Sequence, residues 1–476
     1  MASVDAIIVG SGPNGLSAAV ALARAGLSVR VYEAAATIGG GARTEELTLP
    51  GFHHDVCSAV HPLAVDSSFF SQLPLAEHGL EWIHPPLALA HPFEHEPPAL
   101  LHRSLANTAA ALGDDATRYR HLFEPFVRHW DALASDALEP VRIPSHPLLM
   151  ARFGSVAMRS FTSLAHRFTT IGARGLLAGI AAHSIQPLDE AGTASAAILL
   201  GAAAHHNGWP IARGGSASVT SALASYLASL GGEIVTGTNV SSLAELPPSR
   251  TVLLDVTPRQ LLRIAGDRLS AHYRRQLGAF RYGPGVFKVD WALSAPVPWT
   301  APECARAGTV HLGGTLEEIV ASEAAVCRGT HTDRPFVLLA QPSMFDASRA
   351  PVGRHTLWGY CHVPPGSTED MLPHIEAQLE RYAPGFRECV LARHTLNTQQ
   401  MEARNPNLIG GDIAGGANTL GQLLFRPVMR WNPYATSLRG VYICSASTPP
   451  GGGVHGLCGY QAARSALRDV FGRASA

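Results

Sequence analysis

The stretch Ala6-Ile7-Ile8-Val9-Gly10-Ser11-Gly12-Pro13-Asn14-Gly15 decides how this chain folds. Its opening apolar run is continuous rather than alternating, as a parallel strand covered on both faces requires. The run passes directly into Gly-x-Gly-x-x-Gly, formed by Gly10, Gly12 and Gly15. From Leu16 to Ala25 the apolar residues Leu16, Ala19, Val20 and Ala23 recur on one helical stripe, which Gly26 stops. Val29-Arg30-Val31-Tyr32 is the next strand, and Glu33 ends it.

A strand–turn–helix–strand unit of this kind predicts a dinucleotide site. Gly10 permits the tight turn, Gly12 lets backbone approach a pyrophosphate, and Gly15 lets helix and strand pack closely. Pro13 and Asn14 lie in the same turn. Free N–H groups at the helix start face the phosphates, where the helix dipole contributes roughly 0.3–1 kcal/mol. Glu33 stands about 20 residues beyond the turn, where an acidic residue accepts hydrogen bonds from a ribose diol.

Working outward, Ile38-Gly39-Gly40-Gly41-Ala42-Arg43-Thr44 follows Glu33. Gly40 and Gly41 let backbone come near a cofactor, and Arg43 offers a guanidinium to pyrophosphate oxygens. This segment resembles the G-G-x-x-R element of the large FAD family that includes monoamine oxidases, protoporphyrinogen oxidases and phytoene desaturases. The resemblance implies FAD rather than NAD.

Near the other end, Gly440 to Ser445 reads as a buried strand, Thr448 to Gly456 as a glycine loop, and Tyr460 to Phe471 as a helix. Gly451, Gly453 and Gly456 repeat the glycine spacing, but no further strand or acidic residue follows to hold a ribose. The loop instead reads as a helix N-terminus aimed at a flavin ring. N–H groups of Gly453 and Val454 there favour the negative charge of a reduced flavin. The two ends are expected to meet on one FAD, with no separate NAD(P)H domain. Cys458 has no motif for covalent attachment, so the FAD is expected to be non-covalent.

A third piece is Gly208-Trp209-Pro210-Ile211-Ala212-Arg213-Gly214-Gly215-Ser216, then a helix over Ser218 to Leu230, the segment Gly231-Gly232-Glu233-Ile234-Val235, and an apolar strand at Thr251 to Asp255. It resembles the family segment in which a later valine, here Val240, touches adenine. Together the three pieces are similar to the phytoene-desaturase-related branch, with its carotenoid desaturases and ketolases. They are closer still to the pyridine nucleotide-disulphide oxidoreductase domain-containing proteins.

The fold class is therefore α/β: a Rossmann-like, glutathione reductase-type FAD domain with a substrate domain of mixed sheet and helices. The FAD domain is expected from residues 1–66, 206–265 and 426–476, and the substrate domain from 67–205 and 266–425. In the latter, Phe287 to Leu293 reads as a strand with one apolar face. Val310 to Leu312, Phe336 to Ala340 and His355 to Tyr360 are further strands. Helices are predicted from Asn107 to Leu138 and Thr368 to Tyr382. The His- and Pro-rich stretch Glu77 to His102 reads as an irregular excursion near the cavity mouth.

Composition agrees with such a molecule. At 476 residues the chain exceeds one simple core. An apolar share of 46% against 15% charged excludes disorder and points to a large interior or cavity. A net charge of −1 gives nucleic acid nothing to bind. The seven cysteines form no C-x-x-C pair, so neither a metal site nor a redox dithiol is expected. The N-terminus lacks a basic signal region, and no run approaches the ~20 apolar residues of a spanning helix. A cytoplasmic location follows as the expectation, with a peripheral membrane contact left open.

Hydride transfer to flavin needs little acid–base machinery, although a desaturation also removes a proton from the neighbouring carbon. His455, inside the glycine loop, and Lys288, the sole lysine, are the catalytic candidates. Against them stand plainer readings: a histidine bonding its own loop, and a Lys288–Asp290 ion pair. His205, Trp209, Tyr360 and Asp412 are expected at the substrate cavity, and no metal site is expected.

The leading function is an FAD-dependent dehydrogenase or desaturase taking a hydride from a lipophilic molecule onto flavin N5. An amine oxidase using oxygen and a redox-neutral, flavin-dependent isomerase are the alternatives. The electron acceptor stays open between oxygen, a quinone and others. Escorts of prenylated GTPases share the architecture without using FAD, and the intact Gly10, Gly12, Gly15, Glu33 and Arg43 argue against that role.

Overall fold

Two sheets organise the chain in the computed structural model, which describes residues 4–473. Residues 1–3, the start of the N-terminus read above as free of a signal, lie outside the described residues. The first sheet is five-stranded and parallel, in the order Val441–Ile443, Ser249–Leu254, Val4–Val9, Val29–Tyr32, Glu233–Val235. It is thus assembled from three distant parts of the sequence. Ala6 and Ile8 point to one face and pack under the helices Pro13–Arg24, Ala217–Ser229 and Leu457–Phe471. Ile7 and Val9 point to the other, against Pro258–Ala265 and Ala271–Gly278. Both faces being covered is why the strand reads as an unbroken apolar run.

The second sheet is seven-stranded and mixed: Val390–Leu396, Gly285–Leu293, His355–Val363, Val337–Ala340, Ala307–Leu312, Leu87–His91, Ala99–Leu101. One face carries Phe287, Val289, Trp291, Leu339 and Leu357 against the helix Leu372–Tyr382. The other carries Val286, Leu338, Trp358 and Tyr360 against a group of helices between residues 105 and 206.

Several sequence expectations change here. The strand Gly285–Leu293 is buried at every position, so its polar face is not a solvent face. The segment from Glu77 to His102 is not an irregular excursion: Leu87–His91 pairs parallel with Ala307–Leu312, and Ala99–Leu101 pairs beside it. Prolines at 85, 86 and 92 bracket that strand and disguise it. The helix expected from Asn107 to Leu138 is three, Leu105–Ala111, Ala116–Arg128 and Trp130–Ala137. Among the described residues no helix is long and apolar enough to cross a membrane, and no cluster of His, Cys, Asp or Glu is arranged to hold a metal.

Candidate functional site

One cavity of about 990 Å³ runs between the sheets, from the Gly10–Asn14 turn to the Leu338, Trp358 and Tyr360 wall. That volume stands at the top of the roughly 300–1,000 Å³ usual for ligand pockets. The fold explains its place. The turn after the Val4–Val9 strand opens at the carboxyl edge of the parallel sheet, where such folds bind ligands.

The nucleotide end is built from bare backbone. A Cβ on Gly40 would stand 3.0 Å from the Gly12 Cα, and one on Gly12 would stand 2.9 Å from Asp255 Oδ2. The cradle would be filled by any larger residue. The helix Pro13–Arg24 has Gly12 as its N-cap, with no capping side chain and no acid in its first turn. Asn14 Oδ1 is buried there without a partner. Glu33 lines the cavity, with Oε2 accepting from Ser11 N at 2.9 Å and from Ser11 Oγ at 2.6 Å, and Oε1 from Ala35 N at 2.8 Å. An aligned carboxylate, an open helix terminus and a side-chain-free cradle fit a dinucleotide such as FAD.

Arg43 lines the same region, but its Nε and Nη2 donate to the carbonyls of Ile38 and Thr37 at 3.2 and 3.0 Å. It therefore braces its own loop beside Glu33, 3.6 Å away. Asp255 lies beneath the turn and accepts from Gly15 N. Burial pushes its carboxyl up to about 7, with the Glu33 charge adding to the rise. Gly41 and Val240 line the cavity, as do Gly453, Val454 and His455 from the other end of the chain. The helices Pro13–Arg24 and Leu457–Phe471 meet closely: a Cβ on Gly459 would stand 1.8 Å from Asn14 O.

His455 Nδ1 accepts from Leu457 N at 3.0 Å. Burial pushes the ring down to about 4, so it is neutral at pH 7. Its lone pair is already used by its own loop. Cys458 is buried beneath that loop, its thiol directed at the carbonyls of Thr448 and Gly451.

Lys288 stands beside the wall, on the strand next to Tyr360 and on the same face of the sheet, does not itself line the cavity, and is paired with Asp290. The register sets His311, Leu338, Tyr360 and Lys288 in one row across four strands, with Trp358 and Asp290 in the next. His54 and His394 approach the Asp290 oxygens at 3.6 and 3.5 Å. Burial raises the Asp290 carboxyl, but Lys288 and these imidazoles outweigh it and hold the carboxyl below its usual value.

Tyr360 lines the cavity, whereas His205, Trp209 and Asp412 do not. His205 faces away, its Nε2 2.8 Å from Tyr119 Oη inside the helical group. Trp209 donates to Leu200 O at 3.1 Å and supports the wall from behind. Asp412 accepts from Gly283 N at 2.8 Å and Ala414 N at 2.7 Å, fixing the loop that reaches the cavity.

Sequence reading missed Trp358, His61 and the corner His183–Ser184–Ile185, all of which line the cavity. Ile185 has φ 52° and ψ 45°, a left-handed conformation that costs a β-branched residue roughly 1–3 kcal/mol. Asn418 holds the corner, donating to Ser184 O at 3.2 Å while accepting from buried Arg426 at 3.0 Å. Leu199, Leu200 and Ile413 make much of the remaining lining apolar. The lining carboxylates, Glu33 and Asp255, both belong to the nucleotide end.

Comparison with known proteins agrees with this geometry. Residues 8–71 match the NAD(P)-binding Rossmann-like domain family. The chain is similar to pyridine nucleotide-disulfide oxidoreductase domain-containing protein 2 of Rattus norvegicus, at 28% identity over 98% of this chain and 94% of that protein. An uncharacterized protein of Mycobacterium tuberculosis is 25% identical over 98% of both chains. Among solved structures, putrescine oxidase bound to putrescine superposes with a TM-score of 0.64 at 19% identity, covering 99% of this chain and 100% of that one. Cyclohexylamine oxidase from Brevibacterium oxydans gives 0.58 at 16%, over 99% and 100%. The fold is that of the flavin amine oxidases, and the likeness expected from the motifs extends over the whole chain.

Proposed function

We propose, for a chain with the fold of flavin oxidases and whole-length likeness to a named oxidoreductase, that it binds FAD non-covalently and oxidises a lipophilic organic substrate by hydride removal. The observation that carries this reading is continuity: the nucleotide cradle and the apolar chamber are one cavity. When bound, FAD supplies the hydride acceptor at its ring N5.

The chain's own residues supply binding, orientation and dryness. Gly10, Gly12, Pro13, Asn14 and Gly15 hold the phosphates, and Glu33 holds the ribose diol. Gly40, Gly41, Arg43 and Val240 form the surround, and Gly453 and Val454 offer N–H groups toward the ring. Leu199, Leu200 and Leu338 exclude water, which strengthens every polar contact within. We assign His455 to bracing its loop. The buried Lys288–Asp290 pair is a fixed charge pair beside Trp358 and Tyr360.

Amine oxidation with oxygen is the second reading, favoured by the fold. Against it, no lining carboxylate stands in the chamber to meet an ammonium. Trp358 and Tyr360 meet edge to face, with centroids 5.3 Å apart, instead of forming two parallel walls around an amine.

The test is direct. The purified protein should be yellow, with flavin absorbance. Anaerobic mixing with lipophilic candidates should bleach it, whereas an isomerase substrate would turn over with no net bleaching. A colourless protein that takes up no FAD on reconstitution would overturn the reading.

A further inference from the structure

The corner His183–Ser184–Ile185, half-buried at His183 and buried at the other two, belongs to the apolar chamber and takes no part in holding the nucleotide. His183 Nε2 lies 3.3 Å from His311 Nε2. Burial keeps both rings neutral, with His183 pushed down to about 3 and His311 well below its ordinary value. One ring therefore donates to the other, and the surroundings of His311 decide which. Its Nδ1 is buried without a partner and faces the Gly179 backbone, where a Cβ would stand 2.7 Å away. A buried N–H with no acceptor costs more than a bare lone pair. His311 therefore carries its proton on Nε2 and donates it to His183. His183 must then carry its own proton on Nδ1, which no hydrogen bond to a described residue engages.

Two further donors are stranded in the lining. Ser184 Oγ and Trp358 Nε1 are both buried and without partners, in residues 7% and 5% exposed. Strain and orphaned polar atoms together mark a segment held for a ligand, since folding alone would have relieved both. What they offer are N–H and O–H donors, with no lining carboxylate in the chamber beside them.

We propose that the substrate of this site is an apolar molecule bearing an uncharged acceptor oxygen, a carbonyl above all, gripped by His183 Nδ1–H with Ser184 and Trp358 in support. This rests on the lipophilic reading of the chamber above and narrows it. His183 is in this view a specificity residue: it selects and orients substrate while the flavin performs the oxidation.

Three probes of one shape test it: 2-acetylnaphthalene, 2-ethylnaphthalene and 1-(2-naphthyl)ethylamine, titrated calorimetrically into the full-length protein. The ketone should bind at least about tenfold more tightly than the hydrocarbon, the worth of one well-made buried hydrogen bond. His183→Phe should erase that preference with the hydrocarbon affinity unchanged. His183→Asn, which keeps a donor near Nδ1, should restore much of it, and Ser184→Ala should lose part. Equal affinity for ketone and hydrocarbon, tightest binding of the amine, no binding of any probe, or a preference that survives His183→Phe would each overturn the proposal. Flavin absorbance of the same samples keeps the two readings apart. A colourless protein that prefers the ketone sinks only the FAD reading, and a yellow one without the preference sinks only this inference.

Discussion

Asp255 Oδ2 accepts a hydrogen bond from the backbone N–H of Gly15 at 2.9 Å, across 240 positions of sequence. The contact ties the end of the Ser249–Leu254 strand to the first turn of the Pro13–Arg24 helix. Its carboxyl titrates near 7 in the fold, against 3.8 for an ordinary aspartate. The folded chain therefore holds a proton that the unfolded chain has lost, and stability falls as pH rises from about 4 to about 7. Asp255→Asn removes that slope while keeping an oxygen for Gly15. The unfolding free energy of the variant minus that of the wild type, measured in urea, should climb across this window by an amount on the order of a few kcal/mol. A difference independent of pH would show that Asp255 titrates normally.

Much of the nucleotide end was legible because its chemistry is local. Strand, turn, helix and Glu33 lie within one short stretch, and each residue type is dictated by what its neighbours in sequence do. The chamber was less so. Lys288 and Asp290 alternate with Val289 and Trp291 as an edge-of-solvent strand would, yet all are buried. They are enclosed by His54 and by His394 of the neighbouring strand, both far off in the chain. Nothing in sequence marks Ile185 as left-handed, since the strain comes from packing. His205 stands beside the Gly208–Trp209 turn, where the sequence carries a pattern, while His183, alone in an Ala-rich run, carries none.

Gly459 shows how the two termini are joined. Its missing side chain lets the Leu457–Phe471 helix rest on the Asn14 carbonyl, where a Cβ would stand at 1.8 Å. Gly459→Ala must push the helices apart at the phosphate turn. The loss should exceed the ~1–3 kcal/mol of ordinary overpacking, and flavin content on purification should fall with it. Gly278→Ala is the control: nothing lies within 4 Å of the added carbon, at the end of the Ala271–Gly278 helix. It should be neutral or stabilising by up to about 1 kcal/mol. Equal behaviour of the two variants would refute close packing at Gly459.

Glu33 is held in place before any ligand arrives, by Ser11 and by Ala35 N. If it receives a ribose diol, Glu33→Gln keeps the shape and loses the charge-assisted bonds. Each such bond is worth about 1.5–3 kcal/mol. FAD affinity, measured by fluorescence on reconstitution of apoprotein, should weaken roughly tenfold to a hundredfold. Acid precipitation of the wild type should release the flavin into the supernatant, since the Cys458 thiol is directed at backbone carbonyls beneath the loop. Unchanged affinity in the variant would remove Glu33 from the site.

Lys288 and Asp290 form a buried ion pair, an arrangement that serves structure in some sites and chemistry in others. Their side chains are 2% and 0% exposed, so removing either charge strands the other. Lys288→Met should therefore cost about 3–5 kcal/mol, through the uncompensated carboxylate rather than through any lost catalytic role. Replacing both, in Lys288→Met/Asp290→Leu, removes the stranded charge and should recover most of the stability in urea unfolding. The recovered protein then separates the two roles. A purely structural pair leaves its rate of anaerobic flavin reduction, and of reoxidation by oxygen, near wild type. If either rate stays depressed at least tenfold in a stable, flavin-replete double variant, the ammonium beside Trp358 acts on the chemistry itself.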